Sequence, residues 1–203
     1  MRIERLFADK RGSQRIQFSD GTSFFCPLRI ISDYALYSGK ELDDQEYDSL
    51  LTDLKESEVR KKGMDLIARS EHSAGMLRKK LVSRNYDAEV VEKVIREFQE
   101  ERFVDDKRYA EMWTRSRIDR RQEGKGKLVS ELTQRFVDKH IAEEVVSAMV
   151  SESIENDSLE LLGERLQKKK NMTKEKLGRK LASRGFPSNL IYRYLEKLDL
   201  PWN

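Results

Sequence analysis

The 203-residue chain is poor in the residues that build disulfides, metal sites and membrane spans. It has one cysteine, Cys26, and two histidines that lie far apart, His72 and His140. One cysteine cannot form an internal disulfide, which favours a reducing cytoplasm, and no metal-ligand cluster is expected. No stretch approaches the roughly 18 apolar residues that a membrane-spanning helix needs, and the amino-terminal residues lack the apolar segment of a signal peptide.

Sequence motifs for catalysis are also missing. There is no P-loop and no GxSxG, and the one GxG, at Gly124 and Gly126, lacks the third glycine of a dinucleotide fingerprint. The carboxylate pairs at residues 43–44 and 105–106 could share a proton as a catalytic dyad. Each pair precedes a predicted helix, however, where an aspartate caps free amides. We therefore expect a protein that is not an enzyme and that uses no cofactor or metal, with a nuclease as the least supported alternative.

The remaining isolated candidates have simple structural interpretations. We expect His72 and His140 to be surface or helix-end residues, and Cys26 to be buried and inert at the end of a strand. Tyr109 and Trp113 are four residues apart on a predicted helix and are expected to face the core, although a tryptophan can also stack on a nucleic-acid base.

Only 3 prolines interrupt the chain, and charge replaces much of the usual apolar content. Hydrophobic residues make up 37% and charged residues 38%, against about 45–50% and about 25% in ordinary globular chains. The 40 basic and 37 acidic residues nearly cancel, and apolar residues recur at helical spacing. This combination predicts a mainly helical body with a thin core.

The first 57 residues differ from the rest and are predicted to form a small acidic extension. Asp20-Gly21 is a hairpin-turn signal between strands at 15–18 and 22–26, with a third strand at 2–7 and a connection at 9–13. Helices are predicted at 28–38 and 44–62, with Gly39 between them. Residues 33–58 contain nine acidic and two basic side chains, a net charge of −7.

The remainder of the chain is repetitive. Lys80-Leu-Val-Ser-Arg84 reappears as Lys180-Leu-Ala-Ser-Arg184, and Glu131-Leu-Thr-Gln-Arg135 lies between them, at spacings of 51 and 49 residues. This register predicts three tandem three-helix repeats, at residues 58–106, 107–157 and 158–203, which form an elongated, curved, solenoid-like body. Within them Leu81, Leu132 and Leu181 should be equivalent core positions.

Helix limits follow from the same register. First helices are predicted at 58–70, 107–121 and 158–170, second helices at 74–83, 125–134 and 174–183, and third helices from residues 87, 138 and 187. Gly185 suits a helix stop, and Gly124-Lys-Gly126 should separate two helices, although these glycines would also let the backbone approach a phosphate.

Basic residues concentrate on the first and second helices of the repeats. Residues 107–127 carry eight basic against three acidic side chains, and residues 160–184 carry nine against three. Such a surface binds nucleic-acid phosphates or an acidic protein groove; the alternative is a solvated face with intrahelical ion pairs. The acid-free runs 78–80 and 168–170 are hard to explain by pairing. This predicted basic edge comprises Arg69, Arg78, Lys79, Lys80, Arg84, Arg115, Arg117, Arg120, Arg121, Lys125, Lys127, Lys168, Lys169, Lys170, Lys174, Arg179, Lys180 and Arg184.

Several motifs together resemble a known family. Phe103-Val-Asp-Asp-Lys-Arg-Tyr-Ala110, followed by Arg115-Ser-Arg117, Gly124-Lys-Gly126 and Glu131-Leu132, is similar to the central signature of the RecX family of bacterial recombinase regulators. Arg69-Ser-Glu-His-Ser73 with Leu77-Arg-Lys-Lys-Leu81 resembles the family's first-repeat motif. The resemblance covers about residues 59–200. The central signature includes Asp106, Arg108, Tyr109 and Ala110.

The resemblance implies a cytoplasmic regulator that binds RecA–DNA filaments and inhibits the recombinase and ATPase activities of RecA. It places the chain in the regulation of homologous recombination, DNA repair and the SOS response. We expect a monomer with weak DNA binding and no membrane association. The alternative that composition and spacing leave open is a general DNA- or RNA-binding helical-repeat protein that acts without RecA.

Overall fold

The computed structural model describes residues 1–8, 13–118 and 120–202. Three strands precede ten helices in these ranges, which confirms the predicted mainly α fold class with a small amino-terminal sheet. The chain forms two compact units. The first contains the described residues of 1–71 and 77–104, and the second contains residues 72–76 and the described residues from 105 onward. None of the helices within the described ranges is long and apolar enough to cross a membrane.

The first unit begins with an antiparallel sheet. Its elements are β1 (Ile3–Ala8), β2 (Gln14–Phe18), β3 (Ser23–Phe25), α1 (Leu28–Asp33), α2 (Asp44–Ile67), α3 (Ala74–Val82), whose first residues belong to the second unit, and α4 (Ala88–Glu100). The strands are ordered β1-β2-β3, and Gly21 makes the predicted turn with φ +84°. Ile16 and Phe18 alternate with more exposed residues on β2 and are fully buried. Except for Ser13, the predicted connection at 9–13 lies outside the described residues.

The helix predicted at 28–38 is shorter in the structure. It ends at Asp33 because Ala35 adopts a left-handed conformation with φ 45°, which an α-helix cannot continue through. Cys26, just before this helix, is fully buried as predicted, and burial raises the pKa of its thiol to about 11.

Helix α2 is a single helix of 24 residues that joins the two helices predicted at 44–62 and 58–70. It starts at a capping box, in which the Asp43 side chain accepts from the Glu46 amide and the Glu46 side chain reaches back to the Asp43 amide. This result confirms the capping interpretation of Asp43. No helix breaker interrupts the segment; Gly63 instead gives room for the Phe98 ring, which would lie 2.5 Å from a Cβ at that position.

The second unit contains the remaining six helices. They are α5 (Asp106–Ile118), α6 (Lys125–Gln134), α7 (Lys139–Met149), α8 (Glu152–Gln167), α9 (Lys174–Ala182) and α10 (Ser188–Glu196). Helix α8 begins earlier than predicted because the Ser151 hydroxyl accepts from the Ile154 amide and caps the helix there.

The repeat register is confirmed in the core. Leu81, Leu132 and Leu181 have no exposed surface. A further equivalence lies four residues beyond each of them, where the chain leaves the second helix in a left-handed conformation: Asn85 at φ 61°, Phe136 at φ 61° and Gly185 at φ 83°. Only the glycine suits that conformation without steric cost, so the tertiary structure holds the other two in it.

Within the second unit, similar hydrogen bonds hold the starts of two helices, α3 and α6. We call the contacts at the start of α3 the first junction and those at the start of α6 the second junction. At the first junction, the amide of Ala74 at the start of α3 donates to Asp106 Oδ1 at 2.8 Å. The Ser73 hydroxyl donates to the Arg135 carbonyl at the end of α6 at 2.5 Å. The Asp106 carboxylate of α5 therefore caps the start of α3. Ser73, the residue just before α3, bonds to the end of α6.

The second junction repeats this arrangement about 50 residues later. The Lys125 amide at the start of α6 donates to Glu155 Oε1 at 2.8 Å, and the Gly124 amide donates to the Arg184 carbonyl at 2.9 Å. At the third equivalent position, the start of α9, the Lys174 amide donates to the carbonyl of Pro201 at 2.9 Å. The repeat is thus visible in its interactions as well as in its apolar positions.

His72 lies two residues before the start of α3, which agrees with the predicted helix-end position, but the alternative surface location is wrong. His72 is 3% exposed, because the segment 72–76 that leads into α3 packs inside the second unit. His140 is exposed in the first turn of α7, as predicted.

Candidate functional site

The residues of the family-like signature lie at the first junction. Asp105 accepts from the Arg108 amide at 2.9 Å and caps α5, whereas Asp106 caps the start of α3. Both carboxylates of this pair therefore cap helices, but only Asp105 caps the helix that follows it, as the sequence predicts; Asp106 caps the start of a helix earlier in the chain. Ala110 is fully buried, and Tyr109 is buried with its hydroxyl donating to Met76 Sδ at 3.3 Å. Burial raises the pKa of the Tyr109 phenol. The signature thus builds the junction.

A network of ion pairs fixes part of the predicted basic edge inside the second unit. Arg117, whose side chain is only 15% exposed, pairs with Glu131 at 2.5 Å and with Glu123 at 3.2 Å. The Glu123 side chain is 2% exposed and also lies 3.7 Å from the guanidinium of Arg184 and 4.0 Å from that of Arg121. A buried carboxylate among three arginines joins the loop before α6 to the end of α9.

Trp113 lies beside the same network. Its ring is half-buried and contacts the guanidinium groups of Arg117 and Arg135 at 5.0 and 4.9 Å from the ring centroid. Glu131 lies 3.7 Å from Arg135, so one carboxylate faces both of these arginines. A nucleic-acid base would have to displace a guanidinium to stack on this ring, which favours the core interpretation of Trp113.

The glycines at 124 and 126 allow a close approach between backbones of the protein itself. A Cβ at Gly124 would lie 2.5 Å from the carbonyl carbon of Gly185, and one at Gly185 would lie 2.1 Å from the Lys127 amide nitrogen. These contacts place the start of α6 directly against the turn after α9. Gly124 lies just before α6 and separates it from α5, as predicted, whereas Gly126 lies within the first turn of α6.

In the first unit, Arg78 of the acid-free run 78–80 pairs with an acid of another helix. Arg78 makes two hydrogen bonds to the Glu92 carboxylate of α4, at 2.6 and 2.8 Å, and the guanidinium lowers the pKa of Glu92. The expectation that ion pairing hardly explains this run is therefore wrong for Arg78, because the acid comes from the next helix. Arg84 donates to the Lys80 carbonyl at the end of α3, and Arg69 is exposed after α2. Lys79 is exposed and Lys80 half-buried.

The other predicted cations differ in how far acids neutralise them. Lys127 lies 3.7 Å from Glu131, Arg179 lies 3.3 Å from Glu175, and the Lys174 ammonium lies 5.3 Å from the centre of the Trp202 ring. Lys125 is half-buried. A last group is exposed and makes no ion pair with any residue in the described ranges: Arg115, Arg120, Lys168, Lys169, Lys170 and Lys180.

Two of these unpaired lysines line a cleft between α8 and α9, which we call the α8–α9 cleft. It is an open cavity of about 420 Å³ lined by Leu162, Arg165, Leu166, Lys169, Lys180, Ser183 and Arg184. No acidic residue lines it. The structure thereby brings cations from two helices of the third repeat together.

Sequence reasoning missed three residues of this region. Arg135 occupies the same repeat position as Arg84 and Arg184, and the register could have identified it. Arg165 lines the cleft from α8 and lies in the basic segment 160–184. Nothing in the sequence indicated that Glu123 is buried, because an acidic residue in a basic segment is normally expected at the surface.

Among the described residues, no group of three or more His, Cys, Asp or Glu side chains could hold a metal ion.

Comparisons with known proteins agree with the resemblance in the sequence. Two family models match: the second three-helix domain of RecX at residues 105–146 and the first three-helix domain at residues 60–98. The regulatory protein RecX of Treponema pallidum (strain Nichols) is 31% identical over 157 residues, which covers 77% of this chain and 95% of that protein. The regulatory protein RecX of Clostridioides difficile is 22% identical over 202 residues, covering 97% of this chain and 95% of the relative.

Two solved structures are similar to the fold. A crystal structure of a regulatory protein RecX has a TM-score of 0.77 at 18% identity and matches 97% of this chain and 99% of its own. RecX from Lactobacillus salivarius has a TM-score of 0.63 at 18% identity, covering 71% of this chain and 97% of its own. At this identity the likeness establishes the fold.

Proposed function

This chain belongs to the RecX family of regulatory proteins, and we propose that it binds RecA–DNA filaments and inhibits the recombinase and ATPase activities of RecA. It would act without catalysis, as a cytoplasmic monomer in the regulation of homologous recombination, DNA repair and the SOS response. The weak DNA contact expected from the sequence is part of the same proposal.

One observation carries the choice of interface. Six cations of the second and third repeats stay exposed without an acidic partner among the described residues. In contrast, three acids of the same region are engaged within the protein: Glu123 and Glu131 pair with arginines, and Glu155 caps α6. A surface that keeps positive charge uncompensated is suited to a negatively charged partner, and a RecA–DNA filament presents DNA phosphates and acidic protein surface.

The test measures DNA-dependent ATP hydrolysis and strand exchange by RecA while the protein is titrated. The basic-edge variant carries Arg120→Glu, Arg121→Glu, Lys168→Glu and Lys169→Glu together. We expect it to inhibit only at concentrations at least about tenfold higher than the unmodified protein, which corresponds to about 1.4 kcal/mol of binding free energy.

A matched control carries the same change in charge elsewhere. It replaces four exposed cations outside the predicted basic edge by glutamate: Arg29→Glu, Lys139→Glu, Arg193→Glu and Lys197→Glu. This control should inhibit like the unmodified protein. Equal inhibition by the basic-edge variant and the control would contradict the interface.

The alternative function is a general nucleic-acid-binding protein that acts without RecA, and the same uncompensated cations favour it. Co-sedimentation with RecA–DNA filaments and with DNA alone separates the two. Binding to DNA that RecA neither strengthens nor requires, together with unchanged RecA activity, would support the alternative.

A further inference from the structure

The α8–α9 cleft is lined by four cations and by no acidic side chain of the described residues. Arg165 and Lys169 line it from α8 and the turn after it, and Lys180 and Arg184 line it from α9 and the turn after that helix. Of these four cations, only Arg184 makes an ion pair with an acidic residue in the described ranges, the Glu123 carboxylate at 3.7 Å. Like charges held together without counterions destabilise a fold, so an arrangement of this kind indicates an anionic ligand.

We propose that the α8–α9 cleft binds the phosphodiester backbone of DNA. This inference deepens the proposed function, which leaves open whether the cations contact DNA or protein, and it assigns the DNA contact to the third repeat.

The cleft is partly preorganised for a phosphate. The Arg184 guanidinium is near the buried Glu123 carboxylate, and the Arg184 carbonyl accepts the Gly124 amide at 2.9 Å. Both interactions hold this arginine in place before any ligand arrives. An arginine offers a planar pair of donors that matches phosphate oxygens, and lysines add mobile charge around it.

The lining favours a backbone over a nucleobase or a small aromatic ligand. Leu162 and Leu166 supply its apolar part, and no aromatic side chain lines it. Without a stacking surface, bases contribute little to the affinity, so binding should not depend on sequence.

DNA also fits better than an acidic protein segment. Lys168 and Lys170 flank Lys169 at the end of α8, so the uncompensated charge continues beyond the cleft. A DNA strand supplies a negative charge about every 3.4 Å along the helix axis. A protein would need several acidic side chains in succession to match this density.

The test measures binding of a fluorescein-labelled DNA duplex of random sequence by anisotropy, without RecA, at several salt concentrations. The cleft variant carries Lys169→Glu and Lys180→Glu. The control carries Lys139→Glu and Arg193→Glu, which make the same change in net charge on exposed helix positions outside the cleft. Circular dichroism and urea unfolding verify that both variants are folded.

The expected result is a loss of duplex affinity of at least about tenfold for the cleft variant, with the control within about threefold of the unmodified protein. The slope of log affinity against log salt should also fall by about 2, since each lost phosphate contact contributes about 0.9. Equal affinities for cleft variant and control, or no binding by the unmodified protein even at low salt, would overturn the proposal.

Assays with RecA separate this proposal from the proposed function. A cleft variant that keeps duplex affinity but no longer binds RecA filaments would show that the cleft takes acidic protein, which overturns the DNA assignment and leaves the proposed function standing. A cleft variant that loses duplex affinity would support the assignment. If the unmodified protein also left RecA activity unchanged, the proposed function alone would be refuted.

Discussion

Gly185 is the position where one methyl group should disturb the second junction most. It combines a left-handed backbone, φ 83°, with a contact that leaves no space: an added Cβ would lie 2.1 Å from the Lys127 amide nitrogen and 2.8 Å from its Cα. The neighbouring atoms are backbone at the start of α6, and the Gly124 amide is bonded to the adjacent carbonyl. Neither side can yield without breaking the junction.

The two effects give the size of the penalty for Gly185→Ala. The left-handed conformation costs an alanine about 1–2 kcal/mol, and overpacking typically adds about 1–3 kcal/mol. The free energy of unfolding of the second unit should therefore fall by about 2–5 kcal/mol. With a urea m-value of about 2 kcal/mol/M, the unfolding midpoint falls by roughly 1–2.5 M.

Tryptophan fluorescence is a suited assay, because both tryptophans of the chain, Trp113 and Trp202, lie in the second unit. Gly178→Ala on α9 is the matched control. Gly178 is helical, and its added Cβ would meet only side-chain methyl groups, Leu195 Cδ1 at 3.2 Å and Ile191 Cγ2 at 3.8 Å. Alanine gains up to about 1 kcal/mol of helix propensity there, so the midpoint should stay the same or rise. Equal midpoints for Gly185→Ala and the unmodified protein would refute the required close approach.

Three further outcomes are expected. Leu132→Ala, at a fully buried repeat position, should lower the free energy of unfolding by about 2–5 kcal/mol in the same urea assay. The control Gln134→Ala, at an exposed position, should change it by under about 0.5 kcal/mol. Similar values for both variants would contradict the repeat register. Asp106→Ala removes the acceptor of the Ala74 amide and should cost about 0.5–2 kcal/mol, with Asp106→Asn closer to the unmodified protein; no loss would refute the cap. Because burial raises the pKa of Cys26 to about 11, its thiol is protonated at pH 8 and should react with Ellman's reagent only after unfolding; rapid reaction of the folded protein would contradict this burial.

The amino-acid sequence predicts which residues of this protein are buried better than it predicts which distant residues contact each other. Apolar spacing identified Leu132 and its equivalents because burial of one helix face requires a 3.6-residue period. The capping role of Asp105 followed in the same way, since the chemistry of a helix start is local. The single helix α2 was predicted as two because nothing local marks whether two helical segments merge.

The candidate site was harder to predict, because its geometry depends on contacts between distant residues. The pairing of Arg78 with Glu92 spans two helices, so counting charges within the run 78–80 did not reveal it. The burial of Glu123 and His72 depends on residues far away in the sequence. Composition located the basic segments, but only the tertiary structure distinguishes the paired Arg117 from the uncompensated Lys169.

The two junctions of the second unit also limit how its repeats could be recombined. At the first, the large residue is Phe136, against which a Cβ on Gly75 would lie 2.2 Å away; at the second, the equivalent of Phe136 is Gly185, which meets Lys127. Each turn therefore fits the segment that it contacts: Phe136 lies against a glycine, Gly75, and Gly185 leaves room for the backbone of Lys127. A chimera that exchanged the turns after α6 and α9 would place a phenylalanine where no Cβ fits, and a glycine where the Phe136 side chain now lies against Gly75. Although the helices share one pattern, evolution or protein engineering would have to move each turn together with the loop that it contacts.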